Sequence, residues 1–329
     1  MRNLAKKTVL RSGLLRMVGT LRGRGAVILM YHSVMEDPRC QETLLGGIVH
    51  SRDVFRGQME LLGRQYHPAS LDQVKSFVQG KGELPERAVV VSFDDGYADN
   101  HEIAASVLNE VGVPAIFYVT VNCVEQRTLP WPARLRFVFR TTKKAIWLDS
   151  WGKAWPLSSA DERERAFLFS CDECCKLAGT AQEKYVAGVE GKLDMQAPVE
   201  SGLIMSYDQV RSLVAQGHIV GSHTMTHPNL AHVTLEDARR ELTESKHRLE
   251  QQLNATVSHF SYPCPALSPH WTEQTVAASR DAGYETAVTT DGGLVRKGDN
   301  PLRLKRIRPT RTVEGLEWNL ECAFAGRVV

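Results

Sequence analysis

Two short segments hold the residue types best suited to chemistry. Ser92-Phe93-Asp94-Asp95-Gly96 directly follows an apolar run, and His223-Thr224-Met225-Thr226-His227-Pro228 directly follows another. Together they supply two carboxylates and two imidazoles, which is what a mononuclear hydrolytic metal site needs: ligands that leave one position open, and a carboxylate to deprotonate water. Adjacent residues leaving a strand point in different directions, so one aspartate can hold an ion while its neighbour reaches the water. Two carboxylates where a buried strand ends are costly unless a cation or hydrogen bonds compensate them. The alternative for this pair is a helix cap beside a solvent-facing carboxylate.

The three-residue gap between His223 and His227 is usually read as two ligands on one helix face. Pro228 disfavours a helix at His227, and Gly221-Ser222 precede the pair, so the pattern predicts a turn at a strand end. His218 and His232 make the region histidine-rich in any case. The aspartate motif is what gives the pair weight.

The segments that must position these residues alternate between strand and helix. Short apolar runs predict strands at 26–31, 88–93, 115–120, 218–221, 257–262 and 285–290. Capping signals and Gly or Pro stops predict helices at 99–111, with Asp99 as N-cap, and at 206–217, 234–253 and 269–282. Repeated β/α units imply an α/β fold with a parallel sheet, and so many in one domain favour a barrel, with the two motifs at the carboxyl ends of strands where such folds place active sites. Between 121 and 202 the alternation stops, and four of the six tryptophans (Trp131, Trp147, Trp151, Trp155) fall there. This stretch is expected to be a mostly helical insertion, its tryptophans forming its own core or, alternatively, stacking on sugars. The expected organisation is a basic amphipathic segment (1–25), a barrel (26–120 and 203–312), the insertion (121–202) and a tail (313–329).

Composition narrows the partners. The 40 basic and 38 acidic residues leave a net charge of +2, so nothing implies nucleic acid. Seven cysteines are an odd number in a chain of 329 residues, which suits a reducing compartment. Cys171, Cys174 and Cys175 resemble part of a zinc site but lack a second pair at the usual spacing, and Cys40, Cys123, Cys264 and Cys322 are scattered. Near the N-terminus, Leu10, Leu14, Leu15, Met17, Val18 and Leu21 interleave with Lys6, Lys7, Arg11, Arg16, Arg22 and Arg24. No apolar stretch reaches the roughly 20 residues of a membrane span, and no cleavage site follows a long apolar run. The segment is expected to pack against the barrel or, alternatively, to lie on an anionic membrane through residues 1–24. A cytoplasmic location, with or without membrane association, is the expectation, with an extracytoplasmic one as the alternative.

Both motifs resemble the first two signatures of the NodB-homology polysaccharide deacetylases, the fourth family of carbohydrate esterases. Leu29-Met30-Tyr31-His32, Ser70-Leu71-Asp72 and Phe260-Ser261-Tyr262-Pro263 resemble the family in the same order, and the resemblance covers about residues 26–120 and 203–310. It implies a distorted (β/α) barrel of about seven strands that hydrolyses N-acetyl groups on an amino-sugar oligo- or polysaccharide, in exopolysaccharide or envelope synthesis. By the same resemblance Asp94 is the general base, and Asp95, His223 and His227 hold a divalent ion, most often zinc, with cobalt, nickel or iron as alternatives. Cys264 offers a backbone N–H to the oxyanion, Tyr262 and Pro263 contact substrate, and His32 lies near the site. The third signature, usually Phe-Arg-x-Pro-Tyr-Gly, has Ser261 for Arg, Cys264 for Tyr and Pro265 for Gly. The arginine that orients the base is therefore missing, and the C-terminal Leu304-Lys305-Arg306-Ile307-Arg308-Pro309 contains no histidine to serve as the acid. Two other readings stand beside this one: a catalytically weak glycan-binding or assembly protein, and an amidohydrolase acting on a lipid-linked sugar or a non-sugar amide. Oligomeric state is not legible.

Overall fold

Apolar runs without polar alternation make strands buried on both faces. The computed structural model, which describes residues 6, 8–10, 12–21, 24–37, 39, 46–196 and 202–327, places such strands where the sequence predicts them. Its strands are β1 (Ala26–Tyr31), β2 (Ser33–Met35), β3 (Val49–Ser51), β4 (His67–Pro68), β5 (Ala88–Phe93), β6 (Ala115–Val119), β7 (Ile146–Leu148), β8 (Ala154–Pro156), β9 (Ile219–Ser222), β10 (His259–Ser261) and β11 (Thr286–Val288). Its α-helices are α1 (Leu14–Leu21), α2 (Arg52–Gln65), α3 (Leu71–Val78), α4 (Ala105–Val111), α5 (Val121–Gln126), α6 (Trp131–Thr141), α7 (Ala160–Cys174), α8 (Gly179–Lys192), α9 (Tyr207–Ala215), α10 (Leu235–Leu253), α11 (Glu273–Asp281) and α12 (Val313–Phe324). Cys40, Lys7, Arg11 and Arg22 lie outside the described residues.

The main sheet runs β1-β5-β6-β9-β10-β11, with β4 beside the start of β5. Every pairing in it is parallel. Residues 304–307 then pass between the two ends, bridging Val288 on one side and Leu29 on the other. Met30 N–H donates to Ile307 O (3.0 Å) and Ile307 N–H to Ile28 O (2.9 Å), while Leu304 N–H donates to Ala287 O (2.8 Å). The sheet thus curls into the distorted (β/α) barrel that the sequence predicts, and its closing segment comes from the far end of the chain.

Two elements differ from expectation. The helix predicted from Asp99 opens with a π-helical turn, Asn100–Ala104, before α4 begins. Asp99 makes no cap because its carboxylate accepts from Ser33 Oγ (2.6 Å) and Val34 N–H (3.1 Å). The last predicted helix starts at Glu273 rather than Pro269, where Thr272 and Thr275 form a capping box.

Residues 121–196 fold as α5 to α8 with the antiparallel hairpin β7–β8. Their core includes Trp131, Leu135, Phe139, Trp147 and Phe167, whereas Trp151 at the hairpin tip is 69% exposed. α1 lies against α12, with Leu15 packed on Cys322 and Ala325, and leaves Leu14 and Met17 exposed. No helix among the described residues is long and apolar enough to cross a membrane.

Candidate metal centre and its cavity

β5 delivers the aspartates. Asp94 N–H still donates to Tyr31 O (3.1 Å), and the chain then turns through Asp95 (φ +77°) and Gly96 (φ +89°). A left-handed backbone is tolerable for Asp and easy for Gly. β9 delivers the histidines in the predicted strand-end turn, which needs Thr224 at φ +69° and His227 at φ +62°. A β-branched residue there is strained, and the surroundings hold it. Thr224 Oγ1 accepts His227 N–H (2.9 Å), and Trp131 Nε1 of α6 donates to His227 O (2.9 Å). Glu241 of α10 accepts the N–H groups of Met225 (2.8 Å) and Thr226 (2.9 Å) and the Thr226 hydroxyl (2.6 Å).

Asp95 Oδ1 consequently stands 3.5 Å from His223 Nε2 and 3.3 Å from His227 Nε2. This is the one cluster of metal-ligating type among the described residues, its ligand atoms all within 4.8 Å of one another. His223 Nδ1 lies 2.8 Å from the Ser261 carbonyl, an acceptor, which assigns the proton to Nδ1 and turns the Nε2 lone pair toward Asp95. Burial lowers the His223 pKa to about 4, so the ring is neutral. Burial works to raise the Asp95 pKa, but its contacts with His227 outweigh this and hold the carboxyl below its usual range. Asp95 Oδ1 is buried without a hydrogen-bond partner. The His223 Nε2 lone pair and the unpartnered Asp95 oxygen, with His227 Nε2 beside them, form a set that fits a divalent cation.

Asp94 is held differently. Arg306 Nη1 and Nη2 each donate to one of its oxygens at 2.8 Å. The same guanidinium reaches Ser92 Oγ (3.3 Å), Ser261 Oγ (3.0 Å) and Thr289 O (2.8 Å), so all five N–H groups have acceptors. Burial would raise the Asp94 pKa, but the Arg306 charge and hydrogen bonds, with His223, bring it below the ordinary value.

Asp94, Asp95, His223 and His227 open on one cavity of about 410 Å³, whose wall includes His32, His50, Arg136, Cys264 and Arg308. Burial lowers the pKa of His32 and brings that of His50 to about 4, so both rings are neutral. Cys264 lies on this wall as the sequence reading requires. Tyr262 lies on the wall too, and Pro263 does not. The Tyr262 hydroxyl is committed to Ser279 Oγ (3.0 Å) and Leu302 O (3.2 Å), and Pro263 is buried away from the lining. Tyr262 packs its ring edge-on against Phe260, 4.9 Å between centres, within the buried core. Cys171, Cys174 and Cys175 are free, buried thiols whose pKa values burial raises, and they form no metal cluster.

Comparison with known proteins agrees with this geometry. The family model described as polysaccharide deacetylase matches residues 81–287, well over half of the chain. The chain belongs to the polysaccharide deacetylase family. Among curated proteins, a chitooligosaccharide deacetylase of Sinorhizobium fredii is 33% identical over 75 residues, covering 22% of this chain and 33% of that one. YxkH of Bacillus subtilis is 24% identical over 111 residues, covering 34% and 38%. The chain thus spans only about a third of the length of these curated relatives. In structure, the Streptococcus pyogenes deacetylase PplD in complex with acetate aligns with TM-score 0.60 and 19% identity over 90% of this chain and 98% of that one, which shows the shared fold. IcaB from Ammonifex degensii aligns similarly, with TM-score 0.59 and 19% identity over 92% and 97%.

Within the polysaccharide deacetylase family pattern, the missing third-motif arginine has a physical substitute. Ser261 occupies its place in the sequence, and Arg306 from the barrel's closing segment donates to the Ser261 hydroxyl as it clamps Asp94. Sequence reading missed Arg306, Glu241 and His50. No local signal marks Arg306, which follows Lys305 in a run that also holds Arg303 and Arg308.

Proposed function

We propose that this chain is a metal-dependent hydrolase that removes N-acetyl groups from an amino-sugar oligo- or polysaccharide. The observation that carries the reading is one cavity in which a buried carboxylate clamped by an arginine stands beside three converging atoms of metal-ligating type. Asp95, His223 and His227 would hold the ion, and a set of two nitrogens and one oxygen suits zinc, with cobalt, nickel or iron as substitutes. When bound, the ion supplies Lewis acidity toward the acyl oxygen and lowers the pKa of water.

The chain's own residues do the rest. Arg306 keeps Asp94 ionised and fixes its plane, leaving the remaining lone pairs of the carboxylate to take a proton from water. Once protonated, Asp94 is the acid positioned to return that proton to the departing amine. His32 and His50, neutral through burial, bound the cavity as hydrogen-bonding walls rather than proton sources. The Cys264 N–H supplies a donor for the charge that develops on the acyl oxygen.

The test is acetate release from N-acetylglucosamine oligomers by metal-stripped protein and by protein reloaded with zinc or cobalt. Asp94→Asn is expected to lower turnover at least 100-fold while one ion per chain remains bound. Loss of the ion in that variant would exchange the roles of Asp94 and Asp95. Absence of acetate release from every N-acetylated sugar would overturn the reading.

A further inference from the structure

The cavity carries more positive charge than amide hydrolysis of a neutral sugar uses. Among the described residues, Asp94 and Asp95 are the only acidic side chains lining it. Arg306 already balances Asp94, and the ligand set takes up Asp95. Two further guanidiniums line the same space: Arg136, on the insertion helix α6, and Arg308, just past the closing segment. Neither has an ion-pair partner among the described residues, and neither is needed to hold the catalytic carboxylates.

Arg136 is half-buried, with its guanidinium 4.5 Å from the Phe167 ring centre. It lies against the turn at Gly46, where an added Cβ would come within 3.4 Å of the guanidinium carbon. Burial lowers its pKa, yet an arginine so placed remains a cation. Arg311 approaches the next residue of that turn, Gly47, which lines the cavity, and the Arg308 charge is felt at His32. Holding a half-buried guanidinium without a counter-charge is unfavourable unless a ligand supplies one, and planar guanidiniums match phosphate and carboxylate oxygens in pairs. Neutral N-acetylglucosamine offers them no charge.

We propose that the substrate carries an anionic group, a phosphate or a carboxylate, on or next to the sugar that is deacetylated, and that Arg136 and Arg308 bind it. This rests on the deacetylase reading of the same cavity and names its substrate class. The insertion would then act in recognition, since it brings Arg136 to a cavity whose reacting groups all come from the barrel.

The experiment compares kcat/KM of zinc-loaded protein on three probes: neutral N-acetylglucosamine tetramer, N-acetylglucosamine 1-phosphate, and an oligosaccharide alternating N-acetylglucosamine with glucuronate. One charged probe is expected to exceed the neutral one at least tenfold, mainly through KM, with an advantage that shrinks as salt rises. Whether that probe is the phosphate or the carboxylate identifies the source of the anion. Arg136→Gln and Arg308→Gln should each cut the charged-to-neutral ratio of kcat/KM at least fivefold. Arg308 is exposed, so its variant keeps the test sound if Arg136→Gln folds poorly. Equal kcat/KM for charged and neutral probes, with no change of ratio in either variant, would overturn the proposal while leaving deacetylation intact. If no probe releases acetate, the deacetylase reading fails by itself. Calorimetry of N-acetylglucosamine 1-phosphate and of the glucuronate oligosaccharide on metal-stripped protein then decides the anion site: binding weakened at least fivefold by the arginine variants supports it, and no binding of either ligand overturns it.

Discussion

On one wall of the cavity every N–H of Arg306 meets an acceptor, while across the same space Arg136 and Arg308 have no ion-pair partner among the described residues. The first wall belongs to the barrel, is fully buried and is complete without a ligand. The second joins the insertion to the segment after the barrel's last bridge and is partly open. Groups that must keep one geometry through a reaction gain from being saturated by the protein itself. Groups that recognise a ligand keep their hydrogen bonds for it. On this comparison, changes to the first wall should alter the chemistry and its pH dependence, and changes to the second the choice of substrate.

The largest effect is expected from breaking the saturated wall. Arg306→Met would leave the Asp94 carboxylate buried and unpaired, a change that typically costs about 3–5 kcal/mol of stability. Asp94 is now held below its ordinary pKa against burial, so removing the arginine lets burial raise it. The acidic limb of the pH–rate profile should move up by more than about one unit, and turnover at pH 7 should fall at least 100-fold. Adding Ser261→Arg to Arg306→Ser would return a guanidinium from the position the family motif uses. Partial recovery of the pH profile would show that the two sites serve one carboxylate. An unchanged profile in Arg306→Met would sink the assignment of Asp94 as base.

An intermediate effect is expected at Glu241, which never touches the proposed ion. Glu241→Ala leaves the N–H groups of Met225 and Thr226 without their acceptor beneath a turn already holding Thr224 and His227 at positive φ. Each buried N–H so exposed costs about 1–3 kcal/mol. Zinc affinity, measured by chelator competition, should weaken about 10- to 100-fold, as when other supports of ligating histidines are removed. Glu241→Gln should stay within a few-fold of the parent, because its oxygen can accept both N–H groups while its amide donates to Thr226 Oγ1. Equal losses in the two variants would mean that the negative charge, and not the support of the turn, is what counts.

What could be read from sequence follows the same division. β1 and β5 were legible to the residue because a doubly covered parallel strand is an unbroken apolar run. The aspartate and histidine motifs were legible because each is local, a few residues at the end of one strand. Arg306 was not, since it stands 212 positions from Asp94 and meets it only because the barrel closes. Reading the third motif as a local string turned Ser261 into a loss, when the structure supplies its guanidinium from another stave. Tyr262 was legible as a residue of the cavity wall from its place in a motif, but not the commitment of its hydroxyl to Ser279 and Leu302, which follows from burial. Arg136 and Arg308 carry no sequence signal at all, because an unpaired cation is visible only once its neighbours are known.

The smallest effect on turnover is expected behind the site, at Asp99. Burial raises its pKa to about 7, against the hydrogen bonds it accepts from the Ser33 hydroxyl, Val34 N–H and Asn100. With Asn100 Nδ2, which donates to His32 O (2.7 Å), it fastens the turn that carries His32 to the cavity. A carboxyl whose pKa is raised on folding binds more protons in the native state, so its contribution to stability falls as pH rises from about 4 toward 7. The slope from this one group is at most about 1.4 kcal/mol per pH unit. Asp99→Asn cannot ionise and lacks that slope. Its hydrogen bonds fit less well, because its amide group opposes the Asn100 donor, so it should melt below the parent at pH 5. The gap should narrow steadily to pH 7.5, with turnover at pH 7.5 changed less than about threefold. A melting gap that stays constant between pH 5 and 7.5 would show that Asp99 is ionised throughout, held by its three donors as Asp94 is held by Arg306. The saturated wall would then extend from the catalytic carboxylate to the turn beneath His32.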